Sequence, residues 1–295
     1  MEISVKGHSG CQIDIIRERN ELYIYKSSED PNYLNRLLKQ AHKQQLAYKL
    51  EYQHIRIPNI YEIEQSENKI SVKMEYIYSK NFIEYFESAG FEQISYFIKA
   101  LIYFIEKELS NSDLQTVKQE VLKNKFEDVC CRIQNNTLLK SDQDCKDIIN
   151  KAKIIFSILP DIKLPIGRCH GDLTFSNILF NGNNYYLIDF LDSFIESPLL
   201  DIVKIRQDSA FLWSQLMYIH EFDKIRLQII SHKIDENINT YFSKYDWYNK
   251  YYNIFQLMNF LRILQYAHEE KVITYLKNVI KKIINEFQFN NPSCC

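Results

Sequence analysis

His170-Gly171-Asp172-Leu173-Thr174-Phe175-Ser176-Asn177-Ile178-Leu179-Phe180 has the form H-x-D-x-x-x-x-N, and twelve residues after Asn177 stands Asp189, in Leu187-Ile188-Asp189-Phe190. The turn Asn181-Gly182-Asn183-Asn184 separates two apolar, β-branched and aromatic runs, Ile178–Phe180 and Tyr185–Ile188, which predicts a tight β hairpin. An aliphatic-Asp-aromatic triplet at the end of that hairpin returns to the loop from which the hairpin started. The spacing suits phosphoryl transfer from ATP. That reaction needs a carboxylate to orient and accept a proton from the attacking hydroxyl, and oxygen ligands for Mg²⁺ that neutralise the developing phosphate charge. Asp172 and Asn177, five apart on one loop, aim one at the acceptor and the other at a metal, and the hairpin brings Asp189 to the same place. Carboxylate and amide oxygens are the donors Mg²⁺ takes, and the set contains no soft ligand.

Upstream, Ile13–Arg17 and Leu22–Lys26 around Glu18-Arg19-Asn20-Glu21 read as a hairpin. The small-residue turn Gly7-His8-Ser9-Gly10 precedes it. Asp30-Pro31 is a helix start, and Leu34, Leu37, Leu38, Ala41 and Tyr48 continue at helical spacing, predicting one amphipathic helix over about 32–52. Tyr61–Glu64 and Ile70–Ile77 form a further strand pair. Residues 82–160 read as mostly helical, including a segment from Leu114 to Ile133, and Leu199–Phe289 is helical again.

The quoted stretch, with Pro198-Leu199-Leu200-Asp201 after it, resembles the aminoglycoside phosphotransferase and choline kinase family of small-molecule kinases with a protein-kinase-like fold. Gly171 follows the histidine where protein kinases usually carry Arg, and no Ala-Pro-Glu segment follows Asp189. The resemblance implies an α+β bilobal fold. Residues 1–78 would form an antiparallel-sheet N-lobe with one helix; residues 79–295 would form a mainly helical C-lobe with a small β hairpin and a catalytic loop over 168–190. It implies Asp172 as catalytic base, Asn177 and Asp189 as Mg²⁺ ligands, and His170 and Asp201 as structural support. Lys26 would hold the α- and β-phosphates, Ser9 and Gly10 would lie in the loop covering the phosphates, and backbone groups of Glu75 and Ile77 would hydrogen-bond the base at the hinge. The cofactors implied are ATP, or GTP, with Mg²⁺, and the partner is a small molecule that offers a hydroxyl: a sugar, an amino alcohol or an aminoglycoside-like compound.

Two features depart from the family pattern. The helix after Lys26 has no Glu or Asp from Pro31 to Leu50, so a Gln among Gln40, Gln44 and Gln45 stands in for the usual glutamate, or Glu51 reaches across, or the lysine is another one. The glycine loop has only Gly7 and Gly10. The missing glutamate keeps a second reading open, a nucleotide-binding regulatory protein without catalysis, and a protein kinase is a third.

Composition narrows the rest. The 295 residues are 46% hydrophobic and 25% charged, with 36 Lys+Arg against 38 Asp+Glu and a net charge of -2. That balance is an ordinary folded chain rather than a disordered one or a global polycation, so no nucleic-acid partner is expected. No apolar run reaches the roughly 18 residues of a membrane span. The start lacks a charged region followed by an apolar one, and the seven cysteines are scattered without C-x-x-C, so a cytoplasmic protein is expected. The terminal Cys294-Cys295 has no basic stretch beside it that would favour a lipid anchor.

Overall fold

A computed structural model describes residues 3–6 and 11–290. In chain order its elements are strands β1 (Ile3–Lys6), β2 (Gln12–Glu18) and β3 (Glu21–Ser28), helix α1 (Pro31–Tyr48), strands β4 (Ile55–Arg56), β5 (Ile60–Gln65) and β6 (Ile70–Glu75), helices α2 (Phe82–Ser88) and α3 (Phe91–Leu109), strand β7 (Ser112–Val117), helices α4 (Gln119–Asn135) and α5 (Gln143–Ile158), strand β8 (Ile162–Gly167), a 3-10 turn (Phe175–Asn177), strands β9 (Ile178–Asn181) and β10 (Asn184–Leu187), and helices α6 (Pro198–Ser209), α7 (Trp213–Leu216), α8 (Lys224–Phe242), α9 (Asp246–Leu264) and α10 (Glu270–Asn290). The chain divides into two compact units, one made of the residues up to Asn111 with Arg168–Ile238, the other of Ser112–Gly167 with the residues from Asn239 on.

The first unit holds a five-stranded antiparallel sheet in the order β1-β2-β3-β6-β5. The β2–β3 hairpin turns where expected, because Arg19 and Asn20 both adopt positive φ (46° and 73°), the backbone of a tight two-residue turn that matches strand twist. Helix α1 is capped by the Asp30 side chain, which accepts from the Asn32 amide, with Pro31 in its first turn. Its apolar stripe, Tyr33, Leu37 and Ala41, packs with Cys11, Ile60, Ile70 and Val72 into one core. The helix ends at Tyr48, four residues before the expected end. Beyond it the chain turns so that Tyr52 is buried and its hydroxyl donates to the buried Glu108 carboxylate on α3.

The hairpin β9–β10 pairs as the Asn-Gly turn predicts, with Asn181 opposite Asn184, and extends into a three-stranded sheet because β4 adds in parallel to β10. Aromatic residues from α2 and α3 grip this hairpin. Tyr85 stacks on Phe180 (4.3 Å between ring centres), Phe86 meets Phe175 edge-on (5.2 Å), and Phe97 contacts Phe180 and Tyr185 at 5.2 and 5.0 Å. Such pairs add about 0.5–1.5 kcal/mol each beyond burial. They hold Phe175, which opens the 3-10 turn that carries Asn177, and the hairpin that follows it.

In the second unit β7 and β8 form a two-stranded antiparallel ladder, Ser112 opposite Gly167 through Val117 opposite Ile162. Residues 82–160 are mostly helical, as read, but the helical segment from Leu114 to Ile133 is corrected: Leu114 lies in a strand, and α4 begins only at Gln119. Strand β7 exposes four of its six residues and has no clean alternation, so nothing in its own sequence marks it. Its partner lies about fifty residues away in the chain. Helices α9 and α10 pack on each other and on α4 and α5, with Phe126 stacked on Phe156 (4.7 Å). The Asn136 amide donates to the carbonyls of Gln265 (3.2 Å) and Ala267 (2.9 Å), and Lys277 pairs with Asp142 (2.7 Å). Among the described residues no helix is long and apolar enough to cross a membrane.

Candidate active site

The loop from His170 to Asn177 is built on buried carboxylates. Asp201, in the first turn of α6, accepts from the amides of His170 (2.6 Å) and Gly171 (2.8 Å). About two turns further along α6, Asp208 accepts from the amides of Phe175 (2.6 Å) and Ser214 (3.0 Å). Burial pushes the Asp201 carboxyl up to about 7 and that of Asp208 up to about 6, against the pull of the amides each one holds. His170 is fully buried, with Nε2–H donating to the Ile188 carbonyl (2.9 Å) and Nδ1 accepting from the Asp172 amide (3.2 Å). Both ring nitrogens are thus spent on the backbone of the neutral tautomer, and burial pushes the ring down to about 4. Its ring also lies against Phe190 at 4.3 Å. The histidine therefore ties the loop to the segment after β10, next to Asp189.

Asp172 presents its carboxylate between two donors. Asn177 Nδ2 donates to Oδ2 (2.9 Å) and to the Asp172 carbonyl (2.8 Å), and Lys204 of α6 lies 3.0 Å from Oδ1. Burial alone would raise the Asp172 pKa, but the Lys204 ammonium outweighs it, and the carboxyl is held below its ordinary value. Because the Asn177 amide nitrogen faces Asp172, its Oδ1 is left for another partner.

Asp189, two residues past the end of β10, stands at φ 61°, a left-handed backbone uncommon for a residue other than glycine. It meets Lys26 at 2.8 Å. Burial would lower the Lys26 pKa, yet the Asp189 carboxylate prevails and the net shift is upward. The lysine is buried and Asp189 is partly open, so the pair sits at the edge of a cavity lined by Lys26, Leu37, Gln40, Gln44, Val72 and Asp189, among others.

The absent helix acid thus has a structural answer. Lys26 takes its counter-charge from Asp189. Gln40 is buried, its Oε1 accepting from the Tyr33 hydroxyl (3.2 Å), and its Nε2 has no partner among the described residues. Gln44 donates to the Pro58 carbonyl (2.9 Å), and Glu51 is exposed and makes no ion pair among the described residues. The helix instead contributes a cation. Lys43 reaches the Leu191 carbonyl and Glu196, both at 2.6 Å, and so fastens α1 to the segment after Asp189.

At the end of β6, the Glu75 amide donates to the Asn59 carbonyl (2.9 Å), and the Glu75 carboxylate accepts from the Asn59 amide (3.1 Å). The Ile77 carbonyl accepts from the Ser79 hydroxyl (3.2 Å). Ser9 and Gly10 lie outside the described residues, as do Cys294 and Cys295. The free donor oxygens, Asn177 Oδ1 and the second Asp189 oxygen, fit a hard cation such as Mg²⁺ that also binds phosphate oxygens and water. Among the described residues no cluster of three or more His, Cys, Asp or Glu converges. Sequence reading missed Lys204, Asp208, Lys43 and Glu196. The first two had a signal, since Asp201, Lys204 and Asp208 are spaced i, i+3 and i+7 and share one face of α6.

The sequence profile of the phosphotransferase enzyme family matches residues 134–224, which include the loop from His170 to Asn177, the β9–β10 hairpin and α6. No curated protein matches the chain in sequence. Among solved structures, a thermostable mutant of aminoglycoside phosphotransferase APH(4)-Ia superposes with a TM-score of 0.63 at 9% identity, covering 97% of this chain and 94% of that one. Amicoumacin kinase hAmiN in complex with AMP-PNP and Ca²⁺ gives 0.61 at 11% identity over 97% and 88%. A choline/ethanolamine kinase family protein from Mesorhizobium loti gives 0.59 at 13% identity over 96% and 88%. The chain resembles the aminoglycoside phosphotransferase and choline kinase group in fold over nearly its whole length, and in sequence over the segment that holds Asp172, Asn177, Asp189 and Asp201.

Proposed function

We propose that this protein transfers the γ-phosphoryl group of a nucleoside triphosphate, ATP in the first instance, to a hydroxyl of a small molecule, with Mg²⁺. The observation that carries this reading is one connected site. Asp172 and Asn177 hydrogen-bond to each other on the loop, and Lys26 pairs with Asp189 at the end of the hairpin. Asp172 accepts a hydrogen bond from the acceptor hydroxyl, orients its oxygen at the phosphorus, and takes the proton as the new P–O bond forms and the bond to the leaving diphosphate breaks. Lys26 exchanges its contact with Asp189 for the α- and β-phosphates, which frees the carboxylate as a metal ligand beside Asn177 Oδ1. When bound, Mg²⁺ neutralises charge on the bridging phosphate oxygens. The Glu75 carbonyl and the Ile77 amide face the base. Structural neighbours have been solved with AMP-PNP and Ca²⁺ and with ADP and hygromycin B, which supports a nucleotide and a small polar acceptor here.

The test is a panel of sugars, amino alcohols and aminoglycosides incubated with Mg²⁺-ATP and, separately, Mg²⁺-GTP. It is read as the mass gain of one phosphoryl group and as release of diphosphate nucleotide, with Asp172→Asn in parallel. Product formed by the wild-type chain and lost in the variant is expected. Nucleotide turnover no greater in the wild-type chain than in the variant overturns the reading.

A further inference from the structure

Three side chains on one face of α6 turn to the catalytic loop, and two are braces: Asp201 and Asp208 each hold two backbone amides. Lys204, between them, holds no backbone group. Its ammonium lies 3.0 Å from Asp172 Oδ1 and 3.4 Å from Gln207 Oε1, and it makes no other hydrogen bond among the described residues. An ammonium has three N–H donors, so one is unspent. Its side chain is 16% exposed, against 24% for Asp172, so both members of the pair keep a small open surface. A largely buried ion pair contributes little stability on balance and is weak as a reason for placing a lysine here. The reaction supplies a better one. An acceptor hydroxyl bonded to Asp172 must stand in line with the phosphorus it attacks, so a cation already on that carboxylate is next to the phosphoryl oxygens. Without it, a bare carboxylate would repel the charge that builds on the phosphoryl oxygens during transfer. Lys26 cannot serve there, because in the proposed reaction it leaves Asp189 for the α- and β-phosphates.

We propose that Lys204 is the cation that contacts the transferred phosphoryl group, its ammonium bridging Asp172 and an equatorial phosphoryl oxygen during transfer. This rests on the phosphotransferase reading of the site. Charge on those oxygens is what a loose transfer transition state accumulates, so the contact strengthens as the phosphoryl group parts from the diphosphate.

The experiment measures binding rather than turnover. ADP, AMP-PNP and ADP with aluminium fluoride, a planar anionic mimic of the transferring group, are titrated calorimetrically in Mg²⁺ into the wild-type chain, Lys204→Met, Lys204→Arg, Asp172→Asn and the Asp172→Asn/Lys204→Met double variant. Lys204→Met is expected to weaken ADP–aluminium fluoride by about 10²-fold, the usual cost of removing one preorganised donor, while ADP and AMP-PNP affinities hold. Retained ADP affinity also certifies the fold. Lys204→Arg recovers most of the loss, and the loss persists in the Asp172→Asn background because the contact is with phosphate. Equal affinity of Lys204→Met and wild type for the aluminium fluoride complex, or a loss that disappears when Asp172 is already neutral, overturns the proposal and leaves the kinase reading intact. Failure of the wild-type chain to bind any of the three nucleotide probes overturns both.

Discussion

Gly171→Ala tests how the catalytic loop is held. Gly171 stands at φ 89°, a left-handed backbone that costs an alanine about 1–2 kcal/mol. A Cβ built there meets the Leu191 carbonyl oxygen at 2.2 Å. Carbon–oxygen contacts normally close to no less than about 3.3 Å, so one segment must retreat by about 1 Å. Leu191 cannot give way freely, since its amide donates to the His170 carbonyl (2.9 Å) and its carbonyl accepts from Lys43 (2.6 Å). Overpacking of this kind costs a further 1–3 kcal/mol or so, for a total of about 3 kcal/mol. Unfolding entropy of about 2.1 cal/mol/K per residue makes that a fall in Tm of about 5 °C for this chain. Leu191 lies two residues beyond Asp189, and a misplacement near 1 Å costs about 10²-fold in turnover. The assay pairs scanning calorimetry with kcat for the best acceptor. Gly182→Ala is the control, for φ there is 59° but its Cβ would touch nothing within 4 Å, so a modest loss of stability and no loss of kcat are expected. A Gly171→Ala protein with wild-type Tm and kcat would show that the loop and the Leu191 segment do not pack as described.

The other predictions address single roles. Lys26→Ala should raise the KM for ATP much more than that for the acceptor, and an unchanged ATP KM and kcat would mean that another lysine holds the phosphates. Asp189→Ala should abolish turnover with the fold intact by circular dichroism, and excess EDTA should abolish wild-type turnover; persistence of activity in either case refutes the metal role. Asp172→Asn should lower kcat by about 10²–10⁴-fold with little change in nucleotide affinity by calorimetry, whereas lost affinity with near-normal kcat would make Asp172 a metal ligand or a brace. Asp208 bears on stability and pH. Burial raises its carboxyl from 3.8 to about 6, so across that interval the folded chain keeps a proton that the unfolded chain has released. Its contribution is full below pH 3.8 and is lost as pH rises through 6, by about 3 kcal/mol. The stability deficit of Asp208→Asn should therefore narrow from pH 4 to 7 in urea titrations, and a constant deficit would refute a buried, protonated Asp208.

Much of the site was legible in sequence because its parts are local. The loop, the Asn-Gly turn and the two strands lie within twenty residues, and turn chemistry and hydrogen bonding over such distances are written in the residues themselves. Gly171 was legible as a family feature, but its reason is tertiary: the Leu191 carbonyl occupies the place of a side chain. The N-lobe strands and α1 followed from period and capping. Strand β7 did not, since its residues are mostly exposed and only the ladder with β8 makes them extended. The partner of Lys26 was out of reach for the same reason. Asp189 lies 163 residues from Lys26 in the chain, and only folding decides which buried charge meets which. Composition, pattern and short-range spacing thus determined the elements, the loop and its candidate chemistry. The tertiary structure alone decided the ion pairs Lys26–Asp189, Lys43–Glu196 and Lys204–Asp172, because a charge taken from water must find its counter-charge in space, wherever in the chain that lies.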